Sequence, residues 1–167
     1  MTMDMTPRWE LPLLFAGQAQ KEMFHNEALT RIDMLLHGQA QSADLGEPPA
    51  TPSAGECWIV GADASGEWVG REGMVACWTE GGWRFASAMA GLALWVVDRG
   101  HAMHHDGAVW RSNACRPDGL YVNDARVVGE RMGAIGNPSG GLVIDGQARG
   151  AIDAILNILR THGLIAA

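Results

Sequence analysis

The sequence AGQAQKEMFHNEAL at residues 16–29, continued by TRIDMLL at residues 30–36, decides the N-terminal part of the fold. Its apolar residues recur at steps of three and four, the spacing that places side chains on one face of an α-helix. These residues are Ala19, Met23, Phe24, Ala28, Ile32, Leu35 and Leu36. The pattern therefore predicts a helix over residues 17–37 with one buried side.

The polar residues of this predicted helix are more specific than a solvated face requires. Gln18, Gln20, His25 and Asn26 stand where interchangeable Glu, Lys or Arg would serve an ordinary surface helix. Amide side chains donate and accept hydrogen bonds, but they are neither nucleophiles nor proton carriers near neutral pH. The amides suit backbone, water or a partner chain as hydrogen-bond partners, and we predict that these residues dock the helix to a particle protein or another partner chain.

The same segment resembles the opening of a small domain family of unnamed function. The family is found in phage-like tail-fibre and head-spike proteins of alphaproteobacteria, including proteins encoded with gene transfer agents, which are domesticated phage-like particles. The resemblance rests on Gly17–Lys21, His25–Leu29, Asp33, Pro48–Ala50, Pro52, Gly55, Trp58–Val60, Gly66–Trp68 and Gly107–Trp110. It extends over residues 11–112 and implies a structural setting, with no catalytic residue.

Composition bounds the class of protein. The 167 residues are 47% hydrophobic and 19% charged, so the chain can bury one core. The formal net charge of -7 argues against nucleic acid as a partner, because phosphate binding needs clustered cations. Three cysteines without a C-x-x-C pair disfavour a disulfide framework and a zinc site. We predict neither a cofactor nor a metal.

The start of the chain lacks the pattern of a secretion signal. Residues 1–9 have neither the basic start nor the long apolar centre of such a signal. No apolar run reaches roughly 18 residues, so membrane insertion is not expected. We expect synthesis in the bacterial cytoplasm and release within an extracellular phage-like particle, since lysis requires no signal peptide.

The whole pattern predicts an α+β protein with an N-terminal helix, a small antiparallel β meander or barrel, a loop-rich passage and a C-terminal amphipathic helix. Glycine-containing turns separate the predicted strands, as tight hairpins require. The predicted strands are Cys57–Val60, Trp68–Val69, Met74–Thr79, Trp83–Ser87, Leu92–Val97, His101–His105, Val109–Arg111, Leu120–Val122 and Arg126–Val128. The predicted segments are an extended arm (1–16), a docking helix (17–37), a Pro-rich connector (38–56), an antiparallel β domain (57–112), a loop-rich passage (113–144) and an oligomerisation helix (145–162).

The last predicted helix carries the pattern of a self-association surface. Asp145 suits an N-cap, and Gly163 suits a left-handed C-terminal stop. A short heptad-like seam, spaced 4, 3 and 4, consists of Ala148, Ile152, Ile155 and Leu159. Because a helix of roughly four turns is marginal alone, we predict that the chain forms a homo-oligomer, either a trimer or a pentamer.

The tryptophans favour a second kind of site. Seven tryptophans accompany one tyrosine and three phenylalanines, and exposed indole faces can stack on sugar rings while neighbouring arginines bind hydroxyl groups. The candidate glycan-binding residues are Trp68, Trp83, Trp110, Arg84 and Arg111. Trp58, Trp78 and Trp95 lie within apolar runs, so we expect them in the core.

The sequence gives weaker support to metal-binding and catalytic residues than to the sites described above. The best metal-ligand group is His101, His104, His105 and Asp106. In a strand, however, His104 points away from the other two histidines, and Asp106-Gly107 is explained as a turn. The chain has neither a nucleophile elbow nor a phosphate-binding loop. A pair of acids for glycoside hydrolysis stays open among Asp63, Glu67, Glu72 and Glu80.

We therefore expect a nonenzymatic structural component of a phage-like particle or gene transfer agent: a fibre, spike or spike-base adaptor that contributes to attachment to the host cell. The expected partners are further copies of the chain, a capsid, tail or fibre protein, and host surface polysaccharide. The alternatives are a carbohydrate-binding module that recognises polysaccharide through its tryptophans, and a small glycan-cleaving or metal-dependent enzyme.

Overall fold

A computed structural model describes residues 4–15, 17 and 21–166. The chain divides into two compact units, residues 1–113 and residues 114–167. The elements of the first unit are α1 (Lys21–Leu35), β1 (Gln39–Ala40), β2 (Cys57–Ile59), a 3₁₀ turn (Gly66–Trp68), β3 (Val75–Thr79), β4 (Gly82–Ala86), β5 (Ala93–Val96), β6 (His101–His105) and β7 (Trp110–Ser112). Those of the second are β8 (Cys115–Arg116), β9 (Gly119–Val122), β10 (Ala125–Val128) and α2 (Gly146–Thr161).

The α+β class is confirmed, with two helices and three sheets in the described part of the chain. The first unit contains the antiparallel sheet β2-β3-β4 and the sheet β1-β5-β6-β7, in which β1 runs parallel to β5. No described sheet closes into a barrel, so that alternative is wrong. The strand predicted at Trp68–Val69 is also wrong, because Trp68 ends the 3₁₀ turn.

Both faces of the β2-β3-β4 sheet are covered. On one face, Cys57, Ile59, Val75 and Cys77 share a core with Met34 of α1 and with residues of β5 and β6. On the other face, Trp58, Trp68, Ala76 and Trp83 form the tryptophan cluster. Successive strand residues point to opposite faces, so the continuous apolar run at residues 57–60 supplies both cores.

Helix α1 corrects the predicted buried stripe. Its buried residues are Asp33 and Met34, whereas Met23, Phe24 and Ile32 are exposed, Phe24 to 78%. Leu36, which follows the helix, is exposed as well. The helix meets the core through Met34 near its C-terminus, so most of the stripe faces outward. We call Met23, Phe24, Ile32 and Leu36 the α1 apolar face; Ala19 lies outside the described residues.

The second unit joins a three-stranded antiparallel sheet, in the order β10-β9-β8, to helix α2. Asn123 and Asp124 connect β9 to β10, and both have positive φ angles, 50° and 60°, as a type I′ hairpin turn requires. As predicted, Asp145 caps α2, its Oδ1 accepting hydrogen bonds from Gln147 N and Ala148 N at 3.0 Å. Gly163, with φ of 71°, follows the helix in the left-handed region.

Neither helix of the described chain combines the length and the hydropathy that crossing a bilayer would require.

Candidate functional site: an arm–helix clasp and two apolar surfaces

Residues 4–15 form a compact hairpin, which differs from the extended arm predicted for residues 1–16. Within described residues 4–15, Met5 bridges to Pro12, and Thr6 N donates to Leu11 O at 3.0 Å. Glu10 makes the reversal at a φ of 51°. The hairpin therefore satisfies part of its own backbone and presents Thr6, Arg8 and Trp9 toward α1.

Asp33 of α1 is the centre of the contact with this arm. Its side chain is 2% exposed and accepts three hydrogen bonds. Oδ1 accepts from Thr6 Oγ1 at 2.6 Å and from Trp9 N at 2.7 Å, and Oδ2 accepts from Arg8 N at 3.1 Å. A buried carboxylate is tolerated only with such partners. These four residues are called the arm–helix clasp.

Arg8 and Trp9 also complete the C-terminal end of the helix. Arg8 Nη1 donates to Asp33 O at 2.6 Å and Met34 O at 3.1 Å, and its Nη2 donates to His37 O at 3.0 Å. Trp9 Nε1 donates to Leu36 O at 3.0 Å. The last carbonyls of a helix have no partner within it, and a cation there is favoured by the helix dipole. The arm thus supplies the cap that the helix sequence lacks.

The residues predicted to dock a partner have different environments. Asn26 binds the chain's own arm: Leu14 N donates to its Oδ1 at 2.9 Å, and its Nδ2 donates to Leu14 O at 3.0 Å. This bidentate contact is intramolecular, so the Asn26 amide is not free for another chain. His25 is exposed. Gln18 and Gln20 lie outside the described residues.

Sequence reasoning missed the clasp although a signal for it was present. Asp33 stands between Ile32 and Met34, inside the most apolar part of the helix. A charged residue in such a run needs a specific partner, because burial of an unpaired carboxylate is strongly unfavourable. The partner itself is 24 to 27 residues away in the sequence, so spacing could not identify it.

A shallow groove of about 500 Å³ runs beside the α1 apolar face. Its lining includes Met23, Phe24, Glu27 and Arg84. Arg84 Nε donates to Glu27 Oε2 at 3.1 Å, and Arg84 Nη1 donates to Gly81 O and Trp83 O. Arg84, a predicted glycan ligand, is therefore committed to contacts within the chain. The groove is therefore lined by apolar side chains and by the Arg84–Glu27 ion pair.

Two of the predicted glycan-stacking tryptophans are core residues. Trp68 is fully buried and Trp83 is nearly so, which makes their predicted exposure wrong. The Trp83 ring lies at the centre of the tryptophan cluster, with ring centroids 5.4, 5.1 and 5.1 Å from those of Trp58, Trp68 and Trp78, all edge to face. This is a favoured aromatic packing geometry. The indole faces therefore stabilise the fold.

The remaining candidates do not complete a sugar platform with them. Trp110 is half-buried against the other core, and its Nε1 donates to Gly73 O at 2.8 Å. Arg111 Nε donates to Asp106 Oδ2 at 2.9 Å. Trp95, predicted to be in the core, is half exposed on β5, where Leu94 and Val96 point inward instead. Trp58 is buried as predicted, whereas Trp95 was misassigned because a run of apolar letters does not show the alternation of the strand.

The three histidines of β6 have separate hydrogen-bond partners. His101 Nδ1 lies 2.9 Å from Arg99 O, His104 Nδ1 lies 2.9 Å from Asn113 Oδ1, and His105 Nδ1 accepts from Gly107 N at 3.2 Å. Asp106 Oδ1 accepts from Ala108 N and Val109 N in the turn. Among residues 4–15, 17 and 21–166, no group of three or more His, Cys, Asp or Glu side chains is arranged to hold a metal ion.

The second unit has a large apolar surface and few buried apolar side chains. Of its described large hydrophobic residues, only Leu156 and Ile165 are buried. The predicted seam lies largely in solvent: Ile152 and Ile155 are exposed, Ile155 to 56%, Ala148 is exposed, and Leu159 is half-buried. Other exposed residues of this unit include Leu142, Val143, Ile144 and Ile158. We call Ala148, Ile152, Ile155 and Leu159 the α2 seam.

Comparison with known families assigns the middle of the chain to a protein family. Residues 25–111, more than half of the sequence, match the model of the family described as "Protein of unknown function (DUF2793)". The matched region begins within α1 and ends in β7, so it covers most of the first unit. No curated protein matches the chain.

Proposed function

This chain belongs to the DUF2793 family, and from that premise we propose that it is a nonenzymatic structural component of a phage-like particle or gene transfer agent. In this role it is a fibre, spike or spike-base adaptor that contributes to attachment of the particle to the host cell. The setting is supported by the resemblance of residues 17–33 to proteins of such particles. The assembly role is supported by the surfaces of the two units.

The observation that carries the proposal is the apolar surface of the second unit. A unit the size of residues 114–167 is near the lower limit for a stable independent core. With two large apolar side chains buried among its described residues, burial at about 25 cal/mol per Å² offsets little of the ordering entropy. Association that covers the exposed residues would supply the missing burial. Large exposed apolar patches mark association surfaces.

We propose that further copies of the chain bury the exposed apolar residues of the second unit. In heptad terms Ala148 and Ile155 take d positions, whereas Ile152 and Leu159 take a positions. Isoleucine at both a and d favours three or four strands over two. Three copies of α2 (16 residues) packed along the α2 seam would bury Ile152 and Ile155 against their equivalents. We therefore favour the trimer over the pentamer.

The α1 apolar face is the proposed contact with another protein of the particle. Ile32 and Leu36 of this face lie within the family region, and Met23 and Phe24 immediately precede it; all four side chains are exposed. The clasp fixes the C-terminal part of the helix to the arm, so these side chains lie on a helix that is held in place. Docking through a rigid helix face loses less conformational entropy than docking through a mobile segment.

The oligomer is tested by native mass spectrometry of the full chain. The double variant Ile152→Glu/Ile155→Glu places carboxylates in the α2 seam and is expected to reduce the native mass to that of one 17.9 kDa chain. Asn157→Glu is the matched control, because Asn157 is exposed at an f position opposite the seam. An unchanged oligomer in the double variant would exclude α2 as the seam.

The particle assignment is tested separately by mass spectrometry of purified cell-free particles, together with immunogold labelling. Enrichment of the chain at a head vertex or a tail tip is the expected result and would distinguish the two locations. Absence of the chain from every purified particle would overturn the particle role, whatever its oligomeric state.

A further inference from the structure

Two of the three cysteines face each other across the β2-β3-β4 sheet. Cys57 of β2 and Cys77 of β3 are direct partners in the antiparallel register. Their side chains lie in the same core, 1% and 2% exposed. The third cysteine, Cys115, is exposed and belongs to the second unit.

The hydrogen bonding of the sheet places this pair at a close position. Cys57 O accepts from Gln41 N at 2.7 Å, on the side of β2 that faces away from β3. One register step along, Trp78 N donates to Glu56 O at 2.9 Å between the two strands. Since bonded and non-bonded pairs alternate in an antiparallel ladder, Cys57 and Cys77 form a non-hydrogen-bonded pair.

That position suits a covalent bond between the two sulfur atoms. Directly opposite residues of a non-hydrogen-bonded pair have Cα atoms about 4.5 Å apart, and disulfides span Cα separations of about 4.4–6.8 Å. The neighbouring Cys77 thiol, as a hydrogen-bond partner of protonated Cys57, and burial together raise the pKa of the Cys57 thiol. The register thus places the two residues at a separation that a disulfide can span.

We propose that Cys57 and Cys77 form a modification site that closes to a cross-strand disulfide by exchange with a small-molecule disulfide. One cysteine thiolate attacks a sulfur of the small disulfide, which forms a mixed disulfide and releases one small thiol. The second cysteine thiolate then attacks the protein sulfur of the mixed disulfide and releases the other small thiol. The two protein thiols lose two protons and two electrons, and the small disulfide gains both.

Burial determines when this reaction occurs. A thiolate must be formed and reached by the oxidant, and both are disfavoured while the core is closed. The pair therefore stays reduced under reducing conditions and is oxidised slowly, through local opening, after transfer to an oxidising environment. The closed bond would join β2 to β3 around the loop of residues 58–76 and restrict the unfolded chain.

The test uses the full chain carrying Cys115→Ser, which removes the exposed thiol. The protein is incubated with oxidised glutathione in urea below the unfolding transition, quenched with acid, and alkylated in full denaturant without reductant. The expected product has lost two hydrogens, carries no alkyl group, and yields one linked peptide pair containing Cys57 and Cys77. Its melting temperature is expected to rise by roughly 5–10 °C. Two alkyl groups, or persistent glutathione adducts, would overturn the proposal.

Two controls separate native geometry from simple proximity in the chain. Oxidation in full denaturant is expected to give less of the intramolecular bond and more glutathione adduct, because the register no longer holds the sulfurs together. Cys77→Ala in the Cys115→Ser background is expected to stop at the mixed disulfide on Cys57. If the bond forms equally well in the unfolded chain, or lowers the melting temperature, the sheet does not position the pair as proposed.

Discussion

Replacing Asp33 with asparagine tests whether the arm–helix clasp stabilises the first unit. The substitution keeps the shape of the side chain but removes its charge and one of its two acceptor oxygens. In the native chain Oδ1 accepts from Thr6 and Trp9, while Oδ2 accepts from Arg8 N. An asparagine oxygen can keep the first two contacts, but its NH₂ group then faces the Arg8 N–H.

The magnitude follows from these contacts. Hydrogen bonds to a charged group contribute about 1.5–3 kcal/mol each, and an unsatisfied buried donor costs about 1–3 kcal/mol. The two retained bonds lose about half of their strength when the acceptor becomes neutral. Because contributions in one network are not additive, we expect Asp33→Asn to lower the free energy of unfolding by about 2–4 kcal/mol.

Tryptophan fluorescence during urea unfolding is the appropriate assay, since all seven tryptophans lie between residues 9 and 110 and report on the first unit. Asp44→Asn is the matched control: Asp44 makes an exposed ion pair with Arg99, so its loss should cost below about 1 kcal/mol. If the free energy of unfolding of Asp33→Asn lies within about 0.5 kcal/mol of that of the native chain, the clasp does not stabilise the helix.

Further predictions concern the tryptophan cluster and two titrating groups. Trp83→Ala should destabilise the first unit by about 3–5 kcal/mol in urea, whereas the half-exposed Trp95→Ala should cost clearly less; equal losses would contradict the central position of Trp83. Tyr121, the sole tyrosine, donates a hydrogen bond to Asp118 at 2.5 Å, and this bond raises the pKa of Tyr121 above 10.0. Asp118→Asn should therefore shift the ultraviolet titration of Tyr121 back toward that value. An unchanged titration would rule out the hydrogen bond as the cause. Hydrogen bonds from the turn backbone lower the pKa of Asp106 below 3.8, so the ionised Asp106 stabilises the fold above that pH and loses this effect on acidification below it. The melting temperature of Asp106→Asn should therefore approach that of the native chain below pH 3.8. A difference in melting temperature that stays constant with pH would refute the linkage.

Local sequence signals predicted local structure well. Asp145 and Gly163 marked the two ends of α2, and the two short strands predicted after residue 113 correspond to β9 and β10. Each of these features depends on contacts within a few residues, such as an Asp side chain on the next backbone N–H groups. The predicted strand at Trp68 failed because a turn glycine followed by a tryptophan is compatible with a 3₁₀ turn as well as with a hairpin.

The candidate site was less predictable, because its contacts are nonlocal. The amide of Asn26 was correctly identified as a specific hydrogen-bonding group, but its partner proved to be the backbone of Leu14 in the same chain. The sequence also identified the aromatic residues as candidates for a binding site, but it did not show which of them are exposed to solvent. The 3₁₀ turn and two strands bring Trp68 and Trp83 together in the interior, leaving Trp9 and Trp95 as the more exposed indoles.

The sequence by itself determined which residues share a helix face, where α2 begins and ends, and that the chain is an α+β protein. The tertiary structure alone decided which face meets the core. Helical periodicity groups Phe24 and Ile32 on one side but contains no information about what lies opposite that side. Burial is set by elements distant in sequence, which cover Asp33 and Met34 instead. The apolar face left exposed on α1 and the exposed α2 seam are consequently visible only in the folded chain.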